Sequence, residues 1–155
     1  MIGWNRRVKR TRRGDFELKL PAEERAVLEA LAPQLRALLD GDLADPSLRR
    51  LFPTAYAEDP ERDREYHALV RDELADRRRT AVDTLLATLD DPRLTEEQLT
   101  AWMGAINDLR LVLGTRLDVS EETDLVDPDD PDAPMLALYG YLGFLLENIV
   151  EALAG

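Results

Sequence analysis

The sequence contains no cysteine and a single histidine, His67. The first absence excludes disulfides, thiolate zinc and iron–sulfur sites, a cysteine nucleophile and any thiol switch carried by this chain. The second excludes a multi-histidine metal centre. Lysine is nearly absent too, with Lys9 and Lys19 set against 18 arginines. A GC-rich genome and a preference for planar, bidentate contacts explain that skew equally well. The eight glycines are scattered and form neither a phosphate loop nor a dinucleotide fingerprint. Long hydrophobic runs are missing: Pro134 to Leu146 is uncharged, but it is shorter than the roughly 20 residues that span a bilayer, and Glu147 closes it. The N-terminal arginines run into Gly14-Asp15 and not into an apolar stretch, so no secretory leader is expected. These absences point to a cytoplasmic protein without membrane contact.

What is present is apolar content and acid. At 155 residues, 45% hydrophobic and 34% charged, the chain suits one domain with a real core. Its net charge of −12 is unevenly laid out. Met1 to Arg13 holds six basic residues (Arg6, Arg7, Lys9, Arg10, Arg12, Arg13) and no acid, so the remainder is still more acidic than the whole. Most of the molecule should repel nucleic acid while its first strand could attract it. A second asymmetry is the stretch Asp118 to Asp132, with eight acids and no base. It reads as a solvated loop or as an electrostatic docking surface.

The expected fold is mainly α: a single-domain bundle of about four to five helices preceded by a short N-terminal β-hairpin or strand pair. Residues 1–20 form the basic strand or hairpin, 21–117 the helical core, 118–133 the acidic loop and 134–153 an apolar C-terminal helix. Phe16, Leu18 and Leu20 alternate with charged neighbours at the period of a half-buried strand. Arg13-Gly14-Asp15 then turns back to a partner around Arg6 to Arg10. Pro21, Glu23 and Glu24 open a helix with Val27, Leu28, Leu31, Leu35, Leu38 and Leu39 as its stripe, which Pro33 should kink or split. Asp45-Pro46 starts a short helical piece carrying Leu48 and Leu51. Asp59-Pro60-Glu61 opens the longest helix, to about Leu89, with Tyr66, Leu69, Val70, Leu74, Ala81 and Leu85 facing inward. Thr95 with Gln98 forms a capping box before Leu99, Trp102, Ile106, Leu109, Leu113 and Leu117. The last helix is apolar nearly all round until Asn148, which makes it central in the fold or covered by a second subunit. Gly140 and Gly143 within it imply close approach of a neighbouring backbone.

Candidate chemistry is thin. Asp63 and His67 share a helix face, yet one histidine with one carboxylate makes neither a metal site nor a catalytic pair. Asp129, Asp130 and Asp132 lack the turning glycine and closing acid of a calcium loop. Arg64, Arg71 and Arg78 align on the long helix among enough acids to read as solvated ion pairs. No enzymatic role, cofactor or metal is expected. Trp4 to Arg13 interleaves cations with an aromatic and could grip phosphates; its arginines could equally dock on the acidic body.

Arg50-Leu51-Phe52-Pro53-Thr54-Ala55-Tyr56, Glu58-Asp59-Pro60, Glu65-Tyr66 with Leu69-Val70, and above all Trp102 to Leu117 resemble an actinobacterial family long catalogued as a domain of unknown function and now described as oxidative-stress regulators. The resemblance runs from about Gly14 to Leu153. It implies a small cytoplasmic regulator of transcription whose partner is a sigma factor or RNA polymerase. A cysteine-pair redox switch cannot operate in this chain. Arg50, Tyr56, Asn107, Arg110 and Arg116 become partner-binding candidates, with a buried or half-buried polar network of Arg50, Asn107, Asp108, Arg110 and Arg116 as the competing reading. Direct DNA binding through Arg6, Arg7, Lys9, Arg10, Arg12 and Arg13, and a structural homodimer through the last helix, are the alternatives.

Overall fold

The computed structural model describes residues 6–52, 60–118 and 129–155, the side chains of residues 60–64, 66 and 67 excepted. Tyr56, the Asp59 cap, the Asp63–His67 pair, Arg64, Tyr66 and most of the acidic loop lie outside the described residues. The elements are β1 (Val8–Arg10), β2 (Phe16–Leu18), α1 (Ala22–Asp40), a single 3-10 turn at Pro46–Leu48, α2 (Pro60–Thr88), β3 (Arg93–Leu94), α3 (Glu96–Arg116) and α4 (Ala133–Ala154). The fold is thus four helices with a small antiparallel sheet of order β1-β2-β3.

The hairpin forms as its alternation dictates. Val8 pairs with Leu18 and Arg10 with Phe16, so Val8, Phe16 and Leu18 are buried on one face while Lys9 is exposed on the other. Gly14 takes φ +91° in the connecting turn, a conformation that a side chain rarely adopts. The third strand, only two residues long, pairs Leu94 with Phe16 and extends the expected strand pair.

In α1, Leu28, Ala32, Leu35 and Leu39 are buried at helical steps and Gly41 closes the last turn. The helix runs through Pro33 without splitting. Pro33 sits on the exposed side, and burial of Ala32 and Leu35 on either side of it offsets the missing backbone donor. The capping box at the start of α3 is formed in both directions, between Thr95 Oγ1 and Gln98 N at 3.1 Å and between Gln98 Oε1 and Thr95 N at 2.9 Å. Leu99, Trp102, Ile106, Leu109 and Leu113 are buried as their spacing requires.

Two expectations are corrected in α2 and α4. Leu69 is 75% exposed, because the inward register of α2 is Ala75, Arg78, Val82 and Leu85, continued by Leu89 just past its end. Arg78 occupies an inward position that apolar periodicity does not count. In α4 the buried residues are Leu142, Leu145 and Ile149, with Met135 and Val150 exposed. The helix is therefore packed on one side and is not central. By length and composition alone α4 is apolar enough to cross a membrane, despite the charge at Glu147.

Candidate functional site

The candidate arginines are brought together by α3, α4 and the segment after α1. Asp45 accepts from the Ser47 backbone N–H at 2.8 Å and starts the 3-10 turn. Arg116, at the end of α3, donates from Nε to Ser47 Oγ at 3.1 Å. From the other side Arg78 of α2 donates to the Leu51 carbonyl at 3.3 Å, and its guanidinium lies 5.6 Å from the centre of the Phe52 ring. The segment carrying Arg50 is thereby pinned from two helices.

Arg110 and Gly114 lie one turn apart on α3 and face α4. The Arg110 guanidinium stacks 4.9 Å from the centre of the Tyr139 ring. A Cβ at Gly114 would come within 2.9 Å of Tyr139 Cε1 and 3.1 Å of Arg50 Nη1. Glycine at 114 is what lets Tyr139 and Arg50 approach α3, so the glycine that close packing needs is Gly114. Gly140 has nothing within 4 Å of its Cβ position, and Gly143 has only the Arg110 Nε at 3.5 Å. Among the described residues no backbone approaches those two positions. Asn107 is half-buried one turn before Arg110, and among the described residues its side chain makes no hydrogen bond.

Beside Arg116 runs a narrow apolar groove of about 50 Å³, lined by Leu31, Leu38, Leu113 and Met135 with Gln34 and Arg116 at its rim. Below this surface, Asp108 is turned inward and paired with Arg78. Burial pushes its carboxyl above the usual range against the pull of Arg78. This corrects the reading of Arg78 as a solvated surface cation.

The basic hairpin divides into used and unused cations. Arg7 grips Glu24 through Nε at 2.9 Å and Nη2 at 2.8 Å, and lies 5.3 Å from the centre of the Phe144 ring. Its backbone N–H donates to Asn148 Oδ1 at 2.8 Å. Arg10 covers the Phe16 ring and donates to the Leu153 carbonyl at 3.0 Å. Arg6, Lys9, Arg12 and Arg13 are exposed, and Arg6 and Lys9 line a cleft of about 320 Å³ against Asn148 and Glu151 of α4.

Sequence reasoning missed Tyr139, Gly114 and Ser47, and it named Arg78 only as a solvated cation. The inward position of Arg78 was detectable in principle, since it completes the three- and four-residue steps between Ala75 and Val82. Tyr139 and Gly114 carry no local signal, because their meeting depends on how α3 and α4 dock. Among the described residues no group of three metal-ligating side chains occurs.

Fold and site define a helical domain with a small sheet, whose distinctive polar groups are arginines set against aromatic rings and carboxylates. A family described as a domain of unknown function, DUF2017, matches residues 1–153, and the chain belongs to that family. The match reaches further toward the N-terminus than the motif resemblance and takes in the hairpin. Proteins named oxidative stress regulator AosR from Mycobacterium tuberculosis (strain ATCC 25618 / H37Rv) and Mycobacterium bovis (strain ATCC BAA-935 / AF2122/97) are each 33% identical over 129 residues, covering 72% of this chain and 59% of the relative. The chain thus spans about three-fifths of the length of these curated relatives. No solved structure matches it.

Proposed function

We propose that the protein is a cytoplasmic stress-response regulator that acts by binding a protein of the transcription apparatus, a sigma factor or RNA polymerase, and not by catalysis. The observation that carries this reading is the family match together with relatives named as oxidative stress regulators. The arginine geometry supports a protein partner. Arg50, on the pinned segment, and Arg116, at the end of α3, are exposed cations, and Arg116 borders an apolar groove; arginine beside an apolar pocket is a common anchor in interfaces. Arg110, stacked on Tyr139, is a positioning residue for that surface. With no cysteine in the chain, oxidant sensing by a thiol is either absent or lies in the partner.

The test is capture of purified sigma factors and core polymerase from an actinobacterial host at about 0.15 M salt, where surface charge is screened beyond roughly 8 Å, with and without nuclease. Nuclease-resistant binding that is lost in an Arg50→Ala/Arg116→Ala variant still folded at the assay temperature is expected. Failure to retain any sigma factor or polymerase overturns the reading.

A second reading, direct DNA contact, is favoured by the exposure of Arg6, Lys9, Arg12 and Arg13 on one hairpin. Removing the first 13 residues is a poor test, because it also deletes the buried Val8. Arg12→Glu/Arg13→Glu leaves the strands intact. It should abolish duplex binding and flatten its salt dependence if the hairpin grips phosphates.

A further inference from the structure

The solvent side of α4 carries a pattern that the described residues do not use. Leu136, Gly140, Gly143, Glu147, Val150 and Ala154 follow one another at alternating four- and three-residue steps, the spacing of a stripe that pairs with another helix. None of the six is buried, and Val150 is 46% exposed. The two glycines weaken the helix, yet among the described residues nothing comes within 4 Å of a Cβ at Gly140 and only Arg110 Nε does so at Gly143. Glu147 is exposed and makes no ion pair among the described residues. Nor does Arg110, whose Nε lies 3.5 Å from the Cβ position of Gly143.

We propose that this stripe is a self-association surface on which a second copy of the chain docks, with its α4 antiparallel to the first. A twofold axis midway along the stripe sets Val150 against Gly140 of the partner subunit and Leu136 against Ala154 of the partner subunit. The same axis sets Glu147 against Gly143 of the partner subunit, where Arg110 of the partner subunit lies. One register therefore seats the most exposed large side chain of α4 in an open glycine position and supplies a cation for an unpaired carboxylate, each contact occurring twice.

Complementarity of the stripe to itself is what favours a second copy over a foreign chain: large faces small, and carboxylate faces guanidinium. Charge agrees. Two chains of net charge −12 repel over most of their surface, and Pro134 to Leu146 is an uncharged stretch where they can meet.

Sedimentation equilibrium of the full chain up to about 100 µM tests the proposal, with a reversible dimer expected. Gly140→Leu enters open space in the single chain, so it should leave the melting temperature of dilute protein unlowered while raising the dimer Kd about tenfold or more. Glu147→Arg should weaken the dimer, and Glu147→Arg/Arg110→Glu should restore it. Because the chain has no cysteine, mixing Gly140→Cys protein with Val150→Cys protein reads the register directly, and a disulfide-linked heterodimer is expected under mild oxidation. A strict monomer at the highest concentration overturns the proposal. So does a dimer that Gly140→Leu leaves intact and that yields no cross-link between positions 140 and 150.

Discussion

Arg78 of α2 and Asp108 of α3 form an ion pair in which the carboxylate is 3% exposed and the guanidinium 26%. The pair joins two helices and, through the Leu51 carbonyl, the segment that carries Arg50. Removing one partner is costly because the other stays buried without compensation. Arg78→Ala should cost about 3–5 kcal/mol in urea unfolding, whereas Arg78→Met/Asp108→Leu should cost clearly less than the two single changes added together. Burial raises the Asp108 pKa in the folded state, which fixes the sign of its pH dependence. Its contribution is most favourable below the unfolded value of about 3.9 and worsens as pH rises toward the folded value. The Arg78→Ala deficit should therefore shrink in acid.

Gly114 and Gly140 make opposite predictions for the same substitution. Gly114→Ala places a methyl 2.9 Å from the Tyr139 ring, and overpacking of this kind costs about 1–3 kcal/mol. Gly140→Ala meets no atom within 4 Å and should stabilise dilute protein by up to about 1 kcal/mol through helix propensity. Thermal melts of the two variants beside the parent check both signs. A destabilised Gly140→Ala would contradict the open environment described for that residue.

Trp102 and Thr88 are both buried, and the indole N–H donates to Thr88 Oγ1 at 2.8 Å. The hydroxyl in turn donates to the Thr84 carbonyl at 2.7 Å. Thr88→Val keeps the shape and strips the indole of its acceptor, so roughly 1–3 kcal/mol should be lost. Trp102→Phe in the Thr88→Val background should lose little more than its cavity cost, since no orphaned donor remains. Urea midpoints of the four proteins close the cycle.

Much of this architecture was legible because its causes are local. Thr95 and Gln98 announce a helix start, the leucines of α1 and α3 repeat at helical steps, and Phe16 to Leu20 alternate as a strand must. Leu69 and Arg78 mark where that logic stops. An arginine paired with a buried aspartate sets the rotation of α2, and hydrophobic counting cannot see it. The two residues of β3 are too few to show a period. Arg50 and Arg110 could be named as motif residues, but the approach of Arg50 to Gly114 and the stacking of Arg110 on Tyr139 come from how distant elements dock on α3, which no local spacing encodes. Tyr56, another member of the expected patch, lies outside the described residues.

Glu24 and Arg7 tie the hairpin to α1, and their coupling predicts a pH dependence of opposite sign to that of Asp108. Burial opposes ionisation of Glu24, but the hydrogen bonds and charge of Arg7 outweigh it and hold the carboxyl below its ordinary value. Tyr141 is pushed upward, first by burial and then by Glu24, although its hydroxyl makes no well-aligned hydrogen bond, so it stays a neutral phenol throughout the accessible range. A carboxyl with a lowered folded pKa contributes stability that is fully present above the unfolded value of about 4.3 and is lost as pH falls through the folded value. Glu24→Gln should therefore cost about 1–2 kcal/mol at pH 7, in line with the loss of charged hydrogen bonds at a partly buried site, and progressively less below about pH 4. Denaturant titrations of parent and variant from pH 7 down to about pH 3 measure the convergence. A deficit that stays constant over that range would mean that Glu24 acts through packing alone, and Arg7 would then be held in place by Phe144 and Asn148 without it.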